Sequence, residues 1–158
     1  MLPLSLMNTR TYSTIVIVLA LLGLADAVYL TEIALTGGTL ACDIAGLNGC
    51  NVVAQSSYSR VLGLPLALYG VIFYSGLLLT FIASRVRPHR TYFLVVALIA
   101  GIGVLFSTYF LYVQIALIHA LCIYCIGSAG IAYLLGILTY NRYRLNEKVV
   151  RIPIADSL

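Results

Sequence analysis

The sequence predicts an all-α integral membrane protein, a bundle of four transmembrane helices, and three observations predict it. Hydrophobic residues make up 62% of the 158 and charged residues only 9%, against roughly 25% charged in soluble domains. Four stretches stay apolar over the length of about 20 residues that crosses roughly 30 Å of hydrocarbon. The Lys and Arg residues flank those stretches instead of interrupting them. A net charge of +4 dispersed over short connections gives no sign of nucleic-acid binding.

Span one covers about 12–35. It exceeds the apolar core of a signal peptide, typically about 7–15 residues, and no small-residue cleavage site closes it, so it reads as a permanent helix. A loop, 36–63, follows. It is longer than a connection in a compact bundle needs, and "NVVAQSSYSRVL" at 51–62 predicts a short helix lying along the membrane surface. Pro65 suits the first turn of span two, about 64–83. The turn "SRVRPHR" leads into span three, 91–118; span four occupies 120–140, and a polar tail, 141–158, ends the chain. With no internal repeat and no low-complexity linker, 1–158 reads as a single four-helix domain.

Of the nine Lys and Arg residues, all but Arg60 fall on one side of this arrangement: Arg10 before span one, Arg85, Arg87 and Arg90 between spans two and three, and Arg142, Arg144, Lys148 and Arg151 after span four. Basic residues favour the cytoplasmic side. Both termini are therefore expected inside a cell membrane, plasma or inner, with the 36–63 loop and the turn near His119 facing the extracytoplasmic side. All four cysteines then lie at that outer face, in a compartment that tolerates disulfides.

Cys42 and Cys50 sit in the loop; Cys122 and Cys125 form a Cys-Ile-Tyr-Cys motif where span four begins. Residues i and i+3 share a helix face, and a helix N-terminus favours a thiolate, so this spacing suits a redox dithiol. Three readings of the cysteines stay open. Zinc would use His119, Cys122, Cys125 and one loop cysteine, but it leaves the other loop cysteine over. A non-catalytic scaffold would hold two static disulfides. A relay of two dithiols would take electrons from a soluble partner at the loop and pass them, two at a time, to an acceptor dissolved in the lipid. A quinone, ubiquinone or menaquinone, is such an acceptor; this reading needs no metal.

The same residues resemble the vitamin K epoxide reductase family. "GLADAVYLT" is similar to the end of its first span, "CDIAGLNGC" followed by Ser56 to its loop pair and loop serine, "YGVIFY" to its second span, and "STYFLYVQIALIHALCIYC" to its third span running into the motif cysteines. The likeness runs from about residue 23 to 140. It implies a four-helix bundle around a quinone with the outer loop, including its short helix, as a cap. It implies that Cys122 and Cys125 form the active-site disulfide, Cys125 against the quinone and Cys122 exchanging with Cys50. It also implies that Cys42 pairs with Cys50 and faces the reductant, while Ser56 helps hold the cap.

Two positions depart from the pattern. Where the vertebrate enzymes bind quinone oxygens with an asparagine early in span two and a tyrosine one turn after the last motif cysteine, this sequence has Leu66 and Ala129. The departure favours the role of the prokaryotic branch over vitamin K quinone or epoxide reduction proper: reoxidising a thioredoxin-like disulfide-forming partner. The chain ends soon after span four, so that partner is expected in trans. Asp26, deep in span one, is costly there unless it finds a partner or a cavity, and is a candidate proton carrier for the quinone. Tyr109 and Tyr112 lie in the outer part of span three, where a quinone pocket or an interfacial aromatic belt would place them.

Overall fold

The computed structural model describes residues 8–42, 49–86 and 90–155. Helix α1 (Thr9–Thr36) starts at Asn8, whose side-chain oxygen accepts from the Arg10 N–H at 3.2 Å. It stops at Gly37, where a φ of 69° turns the N–H back to the carbonyl of Ile33. That left-handed conformation is open to glycine at little cost. Further along lie α2 (Cys50–Gln55), strands β1 (Arg60–Val61) and β2 (Leu64–Pro65), α3 (Leu66–Val86) and α4 (Arg90–Tyr112). Helix α4 runs on into a π-helical segment (Val113–Ile118), and α5 (Ile123–Ala155) completes the chain. Four helical stretches are long and apolar enough to cross a bilayer: Thr9–Thr36, Leu66–Val86, Thr91–Ile118 and Ile123–Arg144.

Helices α1 and α4 each pack against both α3 and α5, so the four close into a ring. Lipid tails are as apolar as leucine, so helices in a membrane associate by close packing and not by hydrophobic exclusion. The buried stripe of α1 is correspondingly small, with Val16, Ala20, Gly23 and Ala27 meeting Tyr74, Leu77 and Phe81 of α3. Gly23 is required there: a Cβ would fall on the Tyr74 ring. The Tyr74 hydroxyl donates to the Ser128 carbonyl at 2.9 Å and meets the Ser128 hydroxyl at 3.0 Å, tying α1, α3 and α5 together. At the opposite end from the cysteines, Arg142 donates to the Thr9 hydroxyl at 3.2 Å and lies over the Tyr12 ring.

The loop departs from the sequence expectation. The short helix ends at Gln55 rather than continuing to 62, and a 3₁₀ turn (Ser57–Ser59) leads into a hairpin in which Arg60 pairs with Pro65 and Val61 with Leu64. Leu62 and Gly63 both have positive φ, 51° and 81°. Two such residues make the tight turn whose twist suits antiparallel strands. Pro65 therefore closes β2, immediately before α3, instead of occupying the first helical turn.

Span four also differs. It begins at Ile123 and continues as helix through Ala155, because Arg, Leu, Glu and Lys after residue 141 are good helix formers even outside lipid. The middle of the loop, 43–48, lies outside the described residues, as do Arg87 and the side chains of Arg90, Lys148 and Arg151 from the basic clusters.

Candidate active site

Cys42 and Cys50 are joined in a disulfide with a Cα–Cα distance of 5.9 Å, and Cys122 and Cys125 are free thiols. Local structure explains how a loop pair and a helix pair meet. Asn51, the second residue of α2, accepts from the Leu40 N–H at 2.8 Å and donates to the Leu40 carbonyl at 3.1 Å. It thereby pins the segment that carries Cys42 to the helix that carries Cys50. Gly49 presses α2 onto the turn before α5, since a Cβ there would stand 2.6 Å from the Leu121 oxygen and 2.7 Å from its nitrogen. Tyr124, between the two motif cysteines, donates to the Ala41 carbonyl at 3.1 Å. The result is one buried cluster of Leu40, Cys42, Cys50 and Cys122, with Cys125 packed against it.

Cys122 caps α5. Its carbonyl accepts from the Ile126 N–H at 3.0 Å, and its sulfur accepts from the Cys125 N–H at 3.4 Å. This is the geometry of a helix N-cap, with a sulfur in place of the usual oxygen. The thiol of Cys125 also hydrogen-bonds it. That bond, aided by the N–H groups of Cys125 and Tyr124 and opposed by burial, lowers the Cys122 thiol to about 7. A lowered thiol holds more of its sulfur as thiolate, the form that acts as nucleophile. The Cys122 N–H donates to the side-chain oxygen of Gln114 at 2.9 Å.

The loop disulfide and the Cys-x-x-Cys helix cap thus share one buried cluster. Residues 14–140 match the vitamin K epoxide reductase family. The chain belongs to that family. It is similar to the thiol-disulfide oxidoreductase LTO1 of Arabidopsis thaliana, 29% identical over 146 residues, an alignment that covers 84% of this chain and 38% of LTO1. The chain thus spans well under half the length of that relative.

The family's other expected positions separate into two groups. Asp26 acts on both motif cysteines through its charge, and Ala129 shares a helix with Cys125. Ala129 is buried on α5 one turn beyond Cys125; Asp26 hydrogen-bonds Ser128, and its Oδ2 is buried with no hydrogen-bond partner. Leu66 is half-buried as the first residue of α3. Ser56 turns its hydroxyl back to the Val53 carbonyl at 2.7 Å, and its own carbonyl accepts from Ser59. It holds the loop's fold together from within. Tyr109 and Tyr112 are 55% and 61% exposed on the bundle's flank, in the position of a lipid-facing aromatic belt. His119 is exposed and left-handed, with φ 57°, at the turn after the π-helical segment. Among the described residues no three His, Cys, Asp or Glu side chains gather as a metal centre.

Sequence reasoning missed Gln114, Asn51, Tyr124 and Ser128. A glutamine inside span three was the one available signal, because a polar amide in an apolar helix must find a partner.

Proposed function

We propose that the protein is a membrane thiol:quinone oxidoreductase that reoxidises a thioredoxin-like partner and so supports disulfide formation. The observation that carries the reading is the single buried cluster holding both cysteine pairs, one reaching it from the loop and the other from the cap of a membrane-spanning helix. A reduced partner attacks the Cys42–Cys50 bond and leaves both as thiols. Cys50 then attacks Cys122 of an oxidised Cys122–Cys125 bond, Cys125 departs as thiolate, and Cys42 displaces Cys122 from Cys50. The end state has Cys42 bonded to Cys50 and two free thiols on α5, as in the structure.

A membrane quinone, ubiquinone or menaquinone, supplies the acceptor for the two electrons and two protons that the Cys122–Cys125 dithiol gives up as its bond re-forms. The residues fit such a molecule. The buried Asp26 Oδ2 lacks a protein partner, which suits a carboxyl that hands a proton to a ligand oxygen, and Cys125 lies on the same helix as its neighbour Ser128. With Leu66 and Ala129 both apolar, nothing at those positions grips a second polar oxygen, which favours quinone over epoxide. The exposed Tyr109 and Tyr112 are better read as belt residues than as quinone ligands. The distribution of arginines supports an orientation with both termini cytoplasmic and the cysteines extracytoplasmic.

Redox titration tests the relay against a static scaffold. Exchange-competent disulfides equilibrate with mild dithiols, whereas structural ones typically resist them, with potentials below about −300 mV. Cys42–Cys50 is expected to open in a graded glutathione or dithiothreitol buffer in the folded, detergent-solubilised protein. A bond that stays closed until the protein unfolds would identify a scaffold.

A further inference from the structure

Gln114 is buried, only 3% exposed, and the cysteine chemistry above makes no direct use of it. It belongs to the π-helical segment Val113–Ile118, and the chain reverses at His119, whose left-handed φ is unusual for a residue other than glycine. Segments of π-helix inside α-helices recur at functional sites. This one spends its distortion on a single residue. The Gln114 main-chain carbonyl accepts from the Ala120 N–H at 3.2 Å and from the His119 N–H, while its side-chain oxygen accepts from the Cys122 N–H at 2.9 Å. One residue therefore holds both ends of the short turn that delivers Cys122.

The Cys122 N–H has no intrahelical acceptor, as for every residue at a helix start. Buried as it is, at 1% exposure, it cannot turn to water instead. Resting on the thiol relay proposed above, we propose that Gln114 is a positioning residue for disulfide exchange, locking the Cys122 peptide so that its sulfur stays both on the helix cap and in line with Cys50. Loss of the acceptor oxygen frees the peptide to rotate. The sulfur then leaves the Cys125 N–H and the face it shares with Cys50, and exchange slows although both cysteines remain.

The test uses a Cys42→Ser/Cys125→Ser background, in which only Cys50 and Cys122 can join, and follows their cross-linking by diamide, which takes the two electrons as the bond forms. Gln114→Met keeps the volume but loses the oxygen, and is expected to slow cross-linking about tenfold, the scale of a small misplacement of reacting atoms. Gln114→Glu keeps an acceptor at the same reach and is expected to restore the rate to within about threefold. A general packing role would not distinguish the two. Wild-type cross-linking in Gln114→Met, or equal slowing in both variants, would overturn the proposal. If Gln114→Met fails to accumulate in the membrane, Gln114→Asn, polar but one methylene short, takes its place with the same expectation. Failure of the background protein itself to join Cys50 to Cys122 would instead refute the relay, before Gln114 is in question.

Discussion

Cys125→Ser is expected to abolish quinone reduction while leaving the Cys42–Cys50 disulfide reducible. The sulfur of Cys125 has two tasks that a hydroxyl cannot perform. It forms the bond whose making delivers two electrons, and it takes the electron pair of the broken bond when Cys50 attacks Cys122. Serine preserves the size of the side chain and the N–H that caps Cys122, so folding and the loop disulfide are expected to survive. On oxidation the variant should keep Cys122 as a free thiol beside an intact Cys42–Cys50 bond, visible by alkylation and mass spectrometry. Loss of at least about a thousandfold in rate is the scale for removing a nucleophilic or leaving group outright. A residual rate near wild type would remove Cys125 from the reaction.

Gly49→Ala has the second largest expected effect, and it reads the interface between the two pairs. The atoms that its Cβ would meet, at 2.6 and 2.7 Å, are the oxygen and nitrogen of Leu121, part of a backbone held from the other side by Gln114. They cannot swing aside as a side-chain tip would. Overpacking of this kind costs about 1–3 kcal/mol, and the cheaper relief is for α2 to lift away, taking Cys50 from Cys122. Turnover with a protein dithiol, which must enter through the loop pair, is expected to fall about a hundredfold. Turnover with dithiothreitol, small enough to reach the Cys122–Cys125 bond directly, should fall far less. Equal losses with both reductants would show that the variant damages the helix pair itself.

The bundle was legible in the sequence because a membrane span depends on a sum over many residues. Its boundaries survive small errors, and the four stretches agreed with the four helices to within a few residues at most ends. The loop was not legible in the same way. Its short helix was foreseen, but the hairpin at Leu62 and Gly63 depends on two backbone conformations, of which the sequence offers only the glycine as a signal. The cysteines announced themselves by spacing, and the placement of Cys122 at the helix start followed from its position just inside the apolar run.

The residues that aim the cysteines were hidden. Gln114 lies several residues before Cys122 and reaches it only because the helix widens into a π-turn, Asn51 works across a gap in sequence to Leu40, and Tyr124 reaches Ala41 from the other end of the chain. Periodicity cannot express such contacts, since each depends on a local irregularity or on the tertiary fold. Tyr109 and Tyr112 illustrate the converse. Their place near the end of span three can be read from the sequence, but their facing, outward at more than half exposure, required knowing which side of α4 meets α3 and α5.

The central claim, that electrons pass from the loop pair through Cys122 and Cys125 to a lipid-soluble acceptor, is tested most directly by anaerobic quinone reduction in the purified detergent-solubilised protein, with dithiothreitol as donor and ubiquinone or menaquinone as acceptor. The predicted result is catalytic quinol formation, one quinol for each dithiothreitol oxidised, lost in Cys122→Ser and Cys125→Ser and retained in Cys42→Ser. No quinol above the uncatalysed rate with either quinone, from folded protein whose four cysteines are intact, would contradict it.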